Sequence, residues 1–140
     1  MINLQDVAKE FGATCTIPEK HCKELNNTLF FQPVTFPPSK EEAVGGGIIL
    51  AKKEKERIIP SFYLLEHFAK QIPVIEVDEK TAYLFTCGRD IFKKNVILPA
   101  PQKKYIVVNE QKEVLGVVKE DRAMLKNVLD RGIFLRQELR

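Results

Sequence analysis

Three residues near the N-terminus are of types that can bind a metal ion: Cys15, His21 and Cys22. Thiolate sulfur and imidazole nitrogen are the ligands that zinc prefers in proteins. Their spacing, however, matches none of the usual zinc patterns, and the sequence offers no evident fourth ligand. We therefore predict no metal site here, and interpret the three residues as two small half-buried thiols and a surface imidazole.

A second candidate for reactivity is Cys87, which is followed by Gly88 and Arg89. A neighbouring cation favours the thiolate form of cysteine, and the thiolate is the nucleophile. This cysteine also ends an apolar run typical of a small barrel, so we interpret it as a packed, unreactive thiol. An enzyme that uses Cys87 is the alternative, and fast alkylation of this thiol would support it.

Gly45, Gly46 and Gly47 lack the Lys-Ser or Lys-Thr pair that completes a phosphate-binding loop. A turn or a close backbone contact explains these glycines better. Because no group of residues forms a recognisable reaction centre, we predict a protein without catalytic activity and without a cofactor.

The composition is that of an ordinary folded protein: the 140 residues are 44% hydrophobic and 29% charged, which argues against disorder. No apolar run approaches the roughly 20 residues of a membrane-spanning helix. The N-terminus lacks the basic and apolar segments of a secretory signal, and three cysteines do not provide a disulfide framework. We therefore expect a cytoplasmic protein that does not contact a membrane.

The basic excess of the chain is small but localised. The formal net charge is +3, and residues 103–140 hold the whole excess, with nine basic and six acidic side chains. A local cationic excess attracts phosphate groups through Coulomb forces and counterion release. An evenly solvated surface would give the same count, because a surplus of three charges is modest.

In the first half of the chain, apolar spacing predicts a helix from Leu4 to Phe11 that ends near Gly12. A second helix is predicted over residues 18–25, with its stop at Asn26 and Asn27. Residues 29–36 indicate an edge strand or an extended segment, and not a central strand, because Pro33 divides them. Residues 48–50 and 58–59 predict a hairpin, and Ser61 begins a helix that ends before Pro73.

The second half has a different pattern. Short apolar runs separated by turn residues predict five closely spaced strands, and hence a small barrel or a tightly curled sheet, at residues 74–77, 83–85, 96–98, 105–108 and 114–118. A brief helix is predicted over residues 123–128 and a last strand over residues 133–136. The predicted domains are an N-terminal α/β unit, residues 1–72, and a C-terminal β unit, residues 73–140. The predicted fold class is α+β.

The stretch Thr81-Ala82-Tyr83-Leu84-Phe85-Thr86-Cys87-Gly88-Arg89-Asp90-Ile91-Phe92-Lys93-Lys94-Asn95-Val96 resembles the opening of a PUA domain, a module that binds RNA. In that family a strand leads to a Gly-Arg turn, a short helix and a Gly-Val step, and Asn95 replaces the last glycine here. Residues 113–117 resemble the later hairpin strand of the family. The resemblance implies a C-terminal PUA pseudobarrel.

Residues 130–138 are similar to the ending of one branch of PUA proteins, the Nip-seven ribosome-biogenesis family. Residues 58–70 resemble the helix that leads into the PUA domain of that family. Membership would imply a non-catalytic protein, of the compact archaeal type, that binds rRNA and other assembly proteins during maturation of the large ribosomal subunit.

The predicted RNA-binding residues are cations that repeat at helical spacing or follow a glycine turn. Arg89 and Lys93 are four residues apart on the expected short helix, with Ile91 and Phe92 pointing inward. The complete set consists of Arg89, Lys93, Lys94, Lys119, Arg122, Lys126, Arg131 and Arg136. Arginine can donate two hydrogen bonds to one phosphate, so the arginines are the stronger candidates. Tyr105 could stack on a base, although its strand position favours the core.

Two further functions fit the same residues. A PUA accessory protein could present tRNA to a separate modification enzyme, and only the bound RNA would distinguish it. Alternatively, residues 29–36 could pair with a strand of a partner protein, which would make RNA binding incidental. In that case binding to RNA would depend little on salt.

Overall fold

The computed structural model describes residues 2–32 and 47–132. Helix α1 (Leu4–Phe11) leads through a short 3-10 helix (Glu19–His21) into a four-stranded antiparallel sheet. The strands of this first sheet lie in the order β1-β2-β3-β4, and they are β1 (Cys22–Leu25), β2 (Thr28–Phe31), β3 (Ile48–Glu54) and β4 (Arg57–Pro60).

Helix α1 confirms the prediction from apolar spacing, since Leu4, Val7, Ala8 and Phe11 are all buried. Gly12 ends the helix with φ 74°, a left-handed conformation that suits glycine. None of the helices in the part of the chain that the structure describes is long and apolar enough to cross a membrane.

Residues 22–25 form a hairpin strand, so the helix predicted over residues 18–25 is wrong. Asn26 and Asn27 have φ values of 50° and 62°, and they connect β1 to β2 with Leu25 opposite Thr28. Two consecutive left-handed residues give the turn whose twist matches a two-residue hairpin. The asparagine pair thus acts as a hairpin turn and does not stop a helix.

Strand β2 lies between β1 and β3, so the prediction of an edge strand is also wrong. Pro33, on which that prediction depended, lies outside the described residues, as do residues 34–36 and two of the three glycines, Gly45 and Gly46.

The β3–β4 hairpin and the helix after it are confirmed. Ala51 lies opposite Pro60 in the register of the hairpin. Helix α2 (Phe62–Ala69) begins at Ser61, whose hydroxyl accepts a hydrogen bond from the backbone N–H of Leu64 at 3.2 Å. Its buried face packs against β3 and against the second sheet.

The second sheet has five strands in the order β5-β7-β8-β9-β6. Strand β5 pairs with β7 in parallel, and the other pairs are antiparallel. The elements of this half are β5 (Ile75–Glu76), helix α3 (Glu79–Thr86), β6 (Ile91–Phe92), a 3-10 helix (Lys93–Asn95), β7 (Tyr105–Val108), β8 (Val114–Asp121) and β9 (Met124–Asp130).

Three predictions for this half are wrong. Residues 83–85 belong to α3 and not to a strand, because the Asp78 carboxylate caps the helix by accepting a hydrogen bond from the Thr81 N–H at 2.7 Å. That hydrogen bond also lowers the pKa of Asp78. Residues 96–98 are not a strand, and most of residues 123–128 lie in β9 instead of a helix. The strand predicted over residues 133–136 lies outside the described residues.

Strand β7 is buried on both faces, and this burial joins the two halves of the chain. Ile106 and Val108 belong to a core that includes the apolar sides of α1 and α2. Tyr105 and Val107 belong to a second core with Phe85 of α3. Full burial of one such aliphatic side chain contributes about 1.5–3 kcal/mol. The α+β class is confirmed, whereas the division at residues 72 and 73 stays a prediction.

The contact between β8 and β9 requires glycine at position 116. A Cβ atom on this residue would lie 1.9 Å from the Leu129 carbonyl oxygen and 2.9 Å from the Asp130 Cα. Both are backbone atoms of β9, so they move only if the strand pair separates. We expect Gly116→Ala to lower the free energy of unfolding by about 3 kcal/mol or more, measured by chemical denaturation.

Gly47→Ala is the matched control, because the three atoms nearest to its Cβ would all belong to the side chain of Phe30, at 3.2–3.5 Å. Its loss of stability should be clearly smaller. Equal losses for the two variants would show that close approach of β8 to β9 does not select the glycine.

Candidate nucleic-acid interface

Arg89 lies on the tight turn that follows α3. Gly88 has φ 93°, and the Gly88 and Arg89 N–H groups donate to the carbonyls of Phe85 and Leu84 at 2.9 and 3.1 Å. The chain then enters β6 directly, so the short helix predicted over Arg89 and Lys93 is wrong. Lys93 instead begins the 3-10 helix after β6, and the two cations do not share a helical face.

Asn127 of β9 holds this turn in place. Its side-chain N–H₂ group lies 3.0 Å from the Phe85 carbonyl, 3.3 Å from the Arg89 carbonyl and 3.0 Å from the Asp130 carboxylate. Its backbone N–H donates to the Asp90 carboxylate at 2.8 Å. Asp130 is only 2% exposed, so these hydrogen bonds fix the Arg89 backbone to the sheet.

The charge of Lys93 is neutralised by an acidic side chain. Its ammonium group forms an ion pair with Glu120, and the hydrogen bond from Lys93 is the main reason that the pKa of Glu120 is lowered. Tyr105 is buried, which confirms the core position expected for this tyrosine. Its hydroxyl lies 3.5 Å from the Glu120 carboxylate. The ion pair with Glu120 neutralises the charge of Lys93.

Lys94 has an aromatic neighbour instead of an acidic one. Its Nζ lies 5.5 Å from the centroid of the Phe92 ring, within the range of a cation–π interaction. Ile91 is buried as expected, but Phe92 is 52% exposed, so the prediction that both point inward is wrong for Phe92. Asn95 lies in the 3-10 helix, and it is not among the residues with positive φ.

Lys119, Arg122 and Lys126 lie on the β8–β9 hairpin. Lys119 is the register partner of Lys126 across the strands, and Arg122, with φ 58°, lies in the turn between them. These residues adjoin each other through strand pairing, and the helical spacing used for the prediction is incidental. Lys126 Nζ is 3.2 Å from the Asp90 carboxylate, which neutralises it.

Strand alternation places several of these side chains on one face of the sheet. Ile91 lies opposite Leu125, and both are buried. The next pair, Phe92 and Met124, therefore points the other way, as does the exposed Lys126 beside Leu125. Lys119 and Asp121 share that face through the register of β8 with β9. We use the name β6 edge for this face together with three cations on adjoining segments. They are Arg89, whose carbonyl is bonded to Asn127 of β9, Lys94, whose ammonium lies near the Phe92 ring, and Arg122 in the β8–β9 turn.

The Arg131 side chain contacts neighbouring parts of the protein. Its Nε donates to the Val114 carbonyl, its terminal nitrogen lies 2.9 Å from Glu66 of α2, and its guanidinium is 4.3 Å from the Phe62 ring centroid. Arg131 therefore joins the second sheet to α2, away from the β6 edge. Arg136, the last of the predicted cations, lies outside the described residues.

The β6 edge thus retains half of the predicted set as available cations. Within residues 2–32 and 47–132, these four form no ion pair, and they are Arg89, Lys94, Lys119 and Arg122. Asp121 is the acidic residue on the same face, and Asp90 and Glu120 are occupied by lysines. The arrangement can bind a polyanion with modest electrostatic strength.

Phe92 and Asn127 belong to this site although neither is predicted from the sequence to contribute to it. Phe92 follows Ile91, which is also apolar, so hydrophobicity alone does not show which of the two is exposed. The structure shows that strand β6 turns Ile91 inward and Phe92 outward. Asn127 bonds to residues 37 and 42 positions away, and local sequence carries no signal for such contacts. Alternation of Leu125 and Lys126 was the available signal for strand β9.

In the part of the chain that the structure describes, no three His, Cys, Asp or Glu side chains cluster as metal ligands. Cys15 is buried, and burial raises the pKa of the Cys22 thiol. The His21 ring packs edge-on against Phe31. Cys87 is exposed at the end of α3, so its interpretation as a packed thiol is wrong.

Comparison with known proteins identifies the fold. Residues 73–139 match the family model of the UPF0113 PUA domain. A conserved PUA domain protein from Thermoplasma acidophilum has a solved structure that covers 98% of this chain and 92% of its own, with a TM-score of 0.60 and 14% identity. The fold is a PUA fold. No curated protein matches the chain.

The PUA fold confirms the predicted architecture, including the curled second sheet. PUA domains generally bind RNA, which supports an RNA-binding role for this chain. Neither match is to a catalytic enzyme family. Neither match tests which cations make contact, so the eight residues chosen from the sequence stay a prediction.

The three contacts of Arg131 lead to a stability prediction. Arg131→Ala should lower the free energy of unfolding by about 1–3 kcal/mol, because it removes a hydrogen bond to a backbone carbonyl, an ion pair and an aromatic contact. Lys119→Ala is the matched control, since Lys119 is an exposed cation without an ion pair among the described residues; we expect a change within about 0.5 kcal/mol. Chemical denaturation measures both, and equal effects would contradict a structural role for Arg131.

Proposed function

We propose that this chain binds RNA at the β6 edge, with phosphate contacts from Arg89, Lys94, Lys119 and Arg122. The observation that carries the proposal is the pairing of β6 with β9 and of β9 with β8, which brings the segments that bear these cations beside one another. The Lys93 N–H donates to the Ala123 carbonyl at 3.1 Å, which places the segment after β6 beside the β8–β9 turn. A PUA fold with a cationic edge is suited to the RNA backbone, which proteins grip through phosphate and sugar contacts.

We further propose that the RNA is rRNA and that the chain acts in the cytoplasm during assembly of the large ribosomal subunit, together with other assembly proteins. The support is the resemblance of residues 58–70 and 130–138 to the Nip-seven family. In the structure, the first of these segments contains α2, which packs against the PUA sheet. The proposed role is non-catalytic, and it needs no cofactor.

The cationic edge predicts a loss of RNA binding when its charges are removed. A variant with Arg89→Ala, Lys94→Ala, Lys119→Ala and Arg122→Ala should bind a fluorescent uridine oligonucleotide at least 10-fold more weakly at low salt. Each phosphate contact contributes about −0.7 to the slope of log K against log salt for a single strand. Fluorescence anisotropy at several salt concentrations should therefore show a slope about 3 units shallower.

The matched control removes four cations from the first sheet. Lys23, Lys52, Lys53 and Arg57 are exposed, and their replacement by alanine changes the net charge equally. The control should keep most of the affinity and the wild-type slope. Equal effects of the two variants would mean that overall charge, and not the β6 edge, determines binding.

Glu120 offers a test in the opposite direction, because it neutralises Lys93. Glu120→Gln should release this lysine, tighten binding and steepen the salt slope by about 0.7. Asp121→Asn makes the same charge change on the neighbouring exposed residue without releasing a lysine, so its slope should stay at the wild-type value. Identical slopes for the two variants would contradict a contact from Lys93.

The identity of the RNA requires a separate experiment. Crosslinking the protein in cell extract and sequencing the attached RNA should recover large-subunit rRNA. Recovery of tRNA alone would favour an accessory protein of a modification enzyme, and it would overturn the proposed role in ribosome assembly while retaining RNA binding.

A further inference from the structure

Phe92 is an exposed aromatic residue whose backbone is held by strand pairing. It belongs to the two-residue strand β6, which is held by the pairing of Ile91 with Leu125 and of Phe92 with Met124. Ile91 is 2% exposed and Phe92 is 52% exposed, so one residue anchors the strand while the next presents its ring to solvent. The N–H of the following residue, Lys93, is bonded to Ala123, which fixes the chain on both sides of the ring.

The surroundings of this ring are cationic. The Lys94 ammonium lies 5.5 Å from the ring centroid, and Arg122 lies in the adjoining hairpin turn, two residues from the strand partner Met124. Other exposed apolar residues lack this combination. Ile97 is 91% exposed but has no π face, and no cation–π contact is found for Tyr83 among the described residues.

An exposed aromatic ring beside cations has the chemistry of a site for single-stranded nucleic acid. Every base has a π face that can stack on an aromatic side chain, while neighbouring cations contact the adjacent phosphates. Duplex RNA offers no free base face for such a ring, because its bases are stacked on each other.

We propose that Phe92 stacks on one unpaired base of a single-stranded RNA segment, with Lys94 placed to contact the phosphate next to that base. This inference rests on the proposed RNA binding at the β6 edge. It adds the class of substrate: an RNA with at least one base available for stacking, as in a loop, a bulge or an unpaired end.

The chain contains no tryptophan, so Phe92→Trp introduces a unique fluorescent reporter at the site. Titration with a uridine oligonucleotide should quench its fluorescence, because a stacked base contacts the indole directly. Tyr63→Trp is the control; Tyr63 is 44% exposed on α2, outside the β6 edge, and its reporter should not change. An abasic oligonucleotide of the same length should leave Phe92→Trp unquenched.

Affinity provides the second measurement. Phe92→Leu should weaken binding of the uridine oligonucleotide by about 5- to 150-fold, the range for loss of one stacked base, and Phe92→Tyr should restore it. The salt slope should not change, because no phosphate contact is removed. Chemical denaturation should show that Phe92→Leu folds with near wild-type stability, since the ring is exposed.

The outcomes separate this inference from the function on which it rests. If the wild type binds with a steep salt slope but Phe92→Leu binds equally well and Phe92→Trp is not quenched, the stacking proposal fails while RNA binding stands. If the wild type binds neither the uridine nor the abasic oligonucleotide, both proposals fail together. Quenching with a duplex as strong as with a single strand would overturn the assigned substrate class.

Discussion

The fold depends on the burial of β7 and β8 on both faces. Alternate residues of these strands enter two cores, one shared with α1 and α2 and one closed by α3. A strand with two buried faces is apolar at every position, as the four buried residues of β7 are. The two halves of the chain therefore share a core, and an independently folding N-terminal half would expose the side chains that Ile106 and Val108 now cover.

The same two-sided burial determines where a ligand can bind. The middle of the second sheet is covered on both faces, so only its borders are open to a large partner. At one border, β8 extends beyond its buried part, and its last three residues are exposed. Strand β6 pairs with the start of β9 at this end. The overhang of the hairpin beyond the core therefore places two cations of the β6 edge, Lys119 and Arg122.

Ion pairing limits the charge that this edge can present. Lys93 and Lys126 are each matched by a carboxylate, and Arg131 is bonded to α2. Exposed ion pairs contribute little to stability, about 0–1 kcal/mol, but each one removes a net charge from the surface. A surface with few net charges attracts polyanions weakly over long range. Short-range contacts such as stacking on Phe92 then contribute a larger share of the affinity.

Sequence patterns predicted well those elements that are defined by local contacts. Helix α1 ends at a left-handed glycine, and α2 begins at a serine cap, so neighbouring residues specify both. The β1–β2 hairpin was mistaken for a helix because Pro18 and Glu19 resemble a helix start, whereas Asn26 and Asn27 favour a hairpin turn. The family resemblance predicted the PUA fold although one of its quoted strands is helix α3.

The candidate site shows why the rest could not be predicted. Residues 119, 122 and 126 have the spacing of a helical face, and the same spacing also suits a hairpin in which the first and last residues are partners. Asp90 lies 36 positions before Lys126 in the sequence and neutralises it through an ion pair. A count of charges along the sequence does not show this pairing. Which cations are available is thus a property of strand register and long-range ion pairs. A register shift of one residue would turn Lys126 towards the core and Leu125 towards solvent, so the buried Ile91–Leu125 pair, itself without charge, is what keeps the cationic face exposed.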